Sequence, residues 1–170
     1  MIESRIEEAV NRQINHEFVA AYNYLAMAAY FEEENLAGFA HWMEQQHQEE
    51  LQHAMRLYRY LLDRGGRVHL PGIEEPRASY SSAADVFETA LKMEQANTAA
   101  IYDLYTLATE LKDYATQSHL KWFLDEQVEE ESSVDEILGL VKMAEGDTGA
   151  MLVLNNQLNQ RPGEAGSAGE

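Results

Sequence analysis

The sequence predicts an all-α fold: an antiparallel four-helix bundle with one long crossover, plus a short C-terminal fifth helix. Three observations carry this. Apolar residues recur at alternating steps of three and four in four long stretches, the pattern of a packed helix face. Two of the connections between those stretches are short polar breaks. The remaining one, 67–81, is long, lacks a period and holds Pro71-Gly72 and Pro76, as a segment crossing from one end of a bundle to the other would.

The first helix is expected over 2–34, on a seam of Ile6, Val10, Gln13, Glu17, Ala20, Tyr24, Met27 and Phe31. Glu32-Glu33-Glu34-Asn35 breaks it. The second seam runs Leu36, Ala40, Met43, His47, Glu50, Ala54, Leu57 and Leu61, and Gly65-Gly66 stops it by tolerating left-handed backbone. After the crossover, Ser81 or Ser82 can cap the third helix, with Asp85 in its first turn. Its seam is Ala83, Phe87, Ala90, Glu94, Asn97, Ile101, Leu104, Ala108 and Leu111. Lys112-Asp113-Tyr114 reads as a tight break before the fourth seam, Leu120, Phe123, Gln127, Glu130, Val134, Ile137, Val141 and Ala144. A fifth segment, 148–160, is too short to be stable alone and must pack on the rest. A single domain over 1–160 and a disordered tail over 161–170 are expected.

Composition narrows the function. Cys is absent, which excludes disulfides, thiolate zinc sites and iron–sulfur clusters. A net charge of -18 disfavours nucleic acid and anionic membrane surfaces as partners and favours cations, although an acidic surface more often serves solubility alone. The N-terminal segment does not read as a signal peptide and no apolar run reaches the length of a membrane span, so a cytoplasmic location is expected.

The informative residues are those that interrupt the seams. Glu17 interrupts the first, Glu50 the second with His53 three residues on, Glu94 the third, and Gln127 with Glu130 the fourth. Each set lies about 16 to 17 residues from its turn, roughly 25 Å at helical rise. In an antiparallel bundle all four therefore meet in one layer. Clustered carboxylates repel and stay protonated unless cations neutralise them. Oxygen ligands with one imidazole suit iron or manganese, and zinc could also bind. The competing reading is a hydrogen-bonded polar network without metal. Tyr24 lies two turns from Glu17 on the same face, as core or as a donor of hydrogen bonds or an electron beside a metal pair. Trp122 and Phe123 read as packing. His47, one turn before Glu50, is a candidate to support a ligand, whereas His16, His41, His69 and His119 read as surface or loop residues.

Glu17, Glu49-Glu50-x-x-His53, Arg64-Gly65-Gly66-Arg67-Val68, Glu94 and Glu126-Gln127-x-Glu129-Glu130, in that order, resemble the non-haem ferritins, especially bacterial ones. Gly146-Asp147 and the apolar segment after it resemble the short helix that ferritins place around their fourfold axes. The resemblance implies a ferritin-like fold and a ferroxidase centre within each subunit. Glu17, Glu50 and His53 match ligands of a first iron; Glu50 would bridge to a second, held by Glu94 and Glu130 with Gln127 nearby. Glu49, Glu126 and Glu129 match a third iron position, and Tyr24 matches the tyrosine beside the centre. The implied reaction is oxidation of two Fe(II) by O2 or H2O2, with ferric oxyhydroxide stored in a hollow homo-oligomeric shell of twenty-four subunits.

Departures refine the expectation. Bacterioferritins carry a second Glu-x-x-His on the fourth helix, where this chain has Gln127-x-x-Glu130, and their haem-ligating Met falls at Leu51, so no haem is expected. The acidic pair lining the threefold pore of animal ferritins falls at Gln117 and Leu120, which leaves the iron entry route open. Two further readings stand beside iron storage. One is a ferritin-like oxidase or peroxidase serving detoxification without bulk storage; the other is a binding bundle whose acids only solvate it.

Overall fold

A computed structural model describes residues 2–160. Among them are five helices, α1 (Ser4–Glu33), α2 (Ala37–Asp63), α3 (Ala83–Glu110), α4 (Tyr114–Ala144) and α5 (Thr148–Leu158). The helices follow the seams closely. The expected start of α1 moves by two residues because the Glu3 carboxylate caps it, accepting from the Arg5 and Ile6 amides. Ser82 rather than Ser81 caps α3 by accepting from Asp85 N, while Asp113 and Asp147 cap α4 and α5 in the same way. The tail expectation for 161–170 lies outside the described residues.

One motif ends three of the helices. After α1, Leu36 N bonds Phe31 O and Asn35 N bonds Glu32 O; after α2, Gly66 N bonds Leu61 O and Gly65 N bonds Leu62 O; after α3, Asp113 N bonds Ala108 O and Lys112 N bonds Thr109 O. In each case the residue just past the helix turns left-handed: Asn35 at φ 59°, Gly65 at 72° and Lys112 at 53°. Glycine and asparagine adopt this backbone readily, whereas for Lys112 it costs about 1–2 kcal/mol.

The two hairpins, α1–α2 and α3–α4, lie side by side through α1 and α3. Gln13 meets Asn97 while Tyr24 meets Glu94, so α1 and α3 run antiparallel. Gln46 meets Glu130 while Tyr60 meets Thr116, so α2 and α4 do as well. The crossover 64–82 is held at its start by Asn11, whose side chain donates to Arg67 O and accepts from His69 N.

The core divides into two apolar clusters. One gathers Tyr24, Met27, Phe31, Phe39, Trp42 and Phe87 with Val134, Val141 and the inner side of α5. Its rings pack tightly, with Phe31 and Phe39 stacked at 5.0 Å. The other gathers Ile6, Val10, Ile14, Leu57, Ile101 and Phe123. Burying each such side chain contributes about 1.5–3 kcal/mol. Between the clusters lies the layer of polar side chains described below.

The short helix α5 packs on α2 and α4. Its Asn155 supplies what the α2 N-terminus lacks. Leu36 makes no side-chain cap, and Asn155 Oδ1 instead accepts from Gly38 N at 2.8 Å and Phe39 N at 3.3 Å. Gly38 is required for this approach, since a Cβ there would overlap the Asn155 carbonyl. Gly38→Ala is expected to undock α5, shown by limited proteolysis at the 145–147 turn with the bundle intact. Thermal unfolding should fall by about 2–4 °C for each kcal/mol lost. Cleavage and melting unchanged from wild type would refute the fit.

Candidate metal centre

The residues that interrupt the seams are all buried. Glu17, Glu50 and Glu94 are fully inaccessible, and His53, Gln127 and Glu130 nearly so. Helical spacing turns each inward at the same depth of the bundle, as the distance from each turn requires. His53 Nδ1 lies 3.5 Å from Glu50 Oε2. Two sets offer ligand atoms within 4.8 Å of one another: Glu17, Glu50 and His53, and His53, Glu126 and Glu130. His53 belongs to both, and its imidazole is positioned by ring-edge contacts to Trp122 at 5.2 Å and Phe123 at 6.1 Å.

The carboxylates differ in how they are held. Tyr24 donates its hydroxyl proton to Glu94 Oε1 at 2.5 Å, and Gln127 Nε2 donates to Glu94 Oε2 at 3.4 Å and to Thr98 Oγ1 at 3.0 Å. Thr98 in turn donates to Glu131. Gln46 Nε2 donates to Glu130 Oε2 at 2.7 Å. Glu17 accepts on both oxygens, from Gln13 Nε2 at 2.8 Å and Asn97 Nδ2 at 3.0 Å. Glu50 stands apart: neither of its oxygens has a hydrogen-bond partner among the described residues.

Electrostatics follow from this packing. Burial holds the Glu50 carboxyl well above the usual carboxylate range, with Glu94, Glu17 and Glu130 raising it further by their charge. Glu94 is pushed up to about 7, first by burial; the Tyr24 hydrogen bond opposes this and the Glu17 charge adds to it. Tyr24 is raised by burial and then by the charges of Glu94, Glu130 and Glu50, so it stays protonated as a donor. A fully buried carboxylate with no donor on either oxygen costs several kcal/mol when ionised alone. A divalent cation shared with Glu17 and His53 removes that cost, so the donor set fits a hard or borderline metal.

Of the other expected residues, Glu49 is buried beside His53 in a cavity of about 640 Å³ that Leu51, Arg56, Tyr60 and His119 also line. Glu126 is half-buried in the second ligand set, whereas Glu129 is exposed. Glu94, Glu49 and Glu129 fall in neither set. His47, expected near the site, bonds the Ala21 carbonyl through Nδ1 at 2.8 Å and so ties α2 to α1. The expectation of a surface or loop role for His119 is corrected. Its ring stacks on Tyr60 at 4.0 Å, its Nε2 is buried with no hydrogen-bond partner among the described residues, and burial lowers its pKa to about 4. The α2–α4 packing that covers it has no periodic signature at position 119.

The amides Gln13, Gln46 and Asn97 are functional neighbours that the sequence reading passed over. Gln13 and Asn97 stand on the seams as polar interruptions like Glu17, yet uncharged side chains there carry no signal of repulsion that a cation must relieve.

Four antiparallel helices closed around a buried carboxylate–imidazole layer define a four-helix bundle built to hold metal through oxygen ligands. A family model for the ferritin-like domain matches residues 7–144. A bacterial non-heme ferritin of Staphylococcus aureus (strain USA300) is 39% identical over 161 residues, covering 95% of this chain and 97% of the relative. That of Staphylococcus saprophyticus is 38% identical over the same length, covering 95% and 96%. The structure also superposes on an open-pore ferritin of the hyperthermophilic archaeon Archaeoglobus fulgidus with a TM-score of 0.94 at 41% identity, covering 95% of this chain and all of that one. The chain belongs to the ferritin family, and the cluster of Glu17, Glu50 and His53 supports an iron-handling function of the ferritin type.

The raised Glu94 value sets a pH dependence for the metal-free protein. Between the usual glutamate value near 4.5 and about 7, the folded state keeps a proton that the unfolded chain has lost. Stability therefore falls as pH rises through that window. Glu94→Gln mimics the protonated acid at every pH. It is expected to match wild type near pH 5 and to exceed it above pH 7, by on the order of 3 kcal/mol. Denaturant melts of the two metal-free proteins across pH 5–8 measure the difference, and parallel curves would contradict the assignment.

Proposed function

We infer that this protein is a ferroxidase and iron store of the bacterial non-haem ferritin type. The observation that carries the reading is Glu50, a fully buried carboxylate with no hydrogen bond on either oxygen among the described residues, in ligand reach of Glu17 and His53. Its geometry suits a group that bridges two cations. Glu17, Glu50 and His53 bind the first Fe(II); Glu50, Glu94 and Glu130 bind the second, with Gln127 beside them. Glu49, Glu126 and Glu129 offer a third iron position.

The chemistry balances simply. Two Fe(II) each give one electron, and O2 takes both with two protons to leave as H2O2; when H2O2 is itself the oxidant, it takes two electrons and two protons to give water. Carboxylates favour the higher charge of Fe(III), which pulls the oxidation forward. Metal entry also displaces the proton that burial keeps on Glu94, so binding strengthens as pH rises. Tyr24, protonated and bonded to Glu94 at 2.5 Å, holds that carboxylate in place and is a candidate electron donor. Ferric product leaves for the interior of a homo-oligomeric shell of twenty-four subunits, in the cytoplasm, where it is stored as ferric oxyhydroxide. The docked α5 supports the shell over a free-standing oxidase: Leu152 and Val153 remain 51% and 58% exposed on it, an apolar strip suited to contact with neighbouring copies.

The test is anaerobic loading with Fe(II) followed by O2, with diferric absorbance recorded in a stopped-flow instrument. A fast phase saturating at two irons per subunit is expected, then slower mineral growth. Glu50→Ala and His53→Ala should slow the fast phase by more than about 100-fold, beyond what residues outside the ligand shell usually cost. A fast phase of wild-type size in both variants would remove the centre from this layer.

A further inference from the structure

The layer contains a device that ligand spacing does not reveal. Gln13 on α1, Asn97 on α3 and Glu17 form a closed ring of hydrogen bonds, all three buried at 2%, 5% and 0% exposure. Gln13 Nε2 uses both hydrogens, donating to Glu17 Oε1 at 2.8 Å and Asn97 Oδ1 at 2.6 Å. Asn97 Nδ2 closes the ring to Glu17 Oε2 at 3.0 Å. The orientation is forced, because turning either amide over would set its oxygen against a carboxylate oxygen. Gln13 also ends a cleft of about 230 Å³ between α1 and α3, lined by Arg12, His16 and Asp103.

We propose that Gln13 and Asn97 are positioning residues for the reaction: their amide clasp fixes the Glu17 carboxylate toward Glu50 and His53, so that the first metal position is already formed before metal arrives. This rests on the ferroxidase reading above and adds to it two residues that bind no iron.

The contrast within the layer supports the assignment. Two amides hold both oxygens of Glu17, whereas neither oxygen of Glu50 has a hydrogen bond among the described residues and His53 Nδ1 stands 3.5 Å from one of them. A glutamate side chain has three rotatable bonds, and ordering it at the moment of binding subtracts from metal affinity. The clasp meets that cost during folding. Glu17 is thus the half of the first site that amides hold, and Glu50 the half that they do not. Hydrogen bonds to ligating carboxylates typically govern metal affinity by 10–100-fold.

The experiment titrates the assembled, metal-free protein anaerobically with Co(II), following heat and the visible ligand-field bands. Asn97→Leu and Gln13→Leu keep the side-chain bulk and remove the donors. Each is expected to weaken the first Co(II) equivalent 10–100-fold and to leave the later equivalent within about threefold, with altered band positions. The metal-free melting midpoint is expected to fall as well, because each substitution leaves a buried polar partner unpaired, so the readout is the difference between the first and the later equivalent. The double variant should lose little more than either single, because the ring acts as a unit. The two substitutions lie on different helices, so one that fails to assemble leaves the other as the test. Unchanged first-equivalent affinity would overturn the clasp, as would an equal loss at the first and later equivalents. Glu50→Ala separates this from the parent reading. If wild type binds Co(II) in a Glu50-dependent way while Asn97→Leu binds equally well, the clasp alone fails; if wild-type binding does not depend on Glu50, both fail.

Discussion

Everything in this bundle accommodates one costly fact, the burial of several carboxylates at a common depth. Glu17, Glu50 and Glu94 have no accessible surface, and Glu130 has almost none. Ionised carboxylates so placed lose their hydration, at several kcal/mol each even after the surroundings relax, and they repel one another. The fold confines that cost to one layer. Apolar clusters lie on both sides of it, with the Phe31, Phe39 and Phe87 rings toward one end and Ile6, Leu57 and Ile101 toward the other. Those clusters supply the stability against which the layer is tolerated.

Within the layer, compensation is uneven, and the unevenness is informative. Glu17 has two amide donors, Glu94 a phenol and a weaker amide, Glu130 an amide. Glu50 has none and answers by holding its proton above the usual range. A layer selected only for stability would give Glu50 a donor, or replace it with an apolar residue of similar volume. Leaving the Glu50 carboxylate without a hydrogen bond among the described residues while its neighbours are held is the arrangement expected of a site completed by a cation.

Much of this is legible in the sequence. The four seams, the two tight turns, the crossover and the fifth helix all follow from apolar spacing and from Gly, Pro and capping residues at the breaks. Glu17, Glu50, Glu94 and Glu130 are legible for the same reason, since a charge on an apolar seam is a strong anomaly. What escapes falls into two kinds. Gln13 and Asn97 stand in plain view on their seams, but a buried amide has many ordinary explanations, and only the facing geometry of α1 and α3 shows their ring. His119 and the Asn155 cap of α2 depend on packing between elements far apart in the chain: Asn155 and Gly38 are 117 residues apart. No local pattern encodes such a contact.

The three-dimensional arrangement also changes how the ligands group. By spacing, His53 belongs with Glu50, its neighbour one turn back. In the folded bundle it also stands beside Glu126 and Glu130 of α4, so one imidazole faces two carboxylate sets. Trp122 and Phe123 press on its edges and limit its rotation. A cation held at Glu17 and Glu50 and one held nearer Glu126 and Glu130 would therefore compete for the same ring. One imidazole standing between two carboxylate sets is a feature of the folded bundle that spacing along α2 alone does not show.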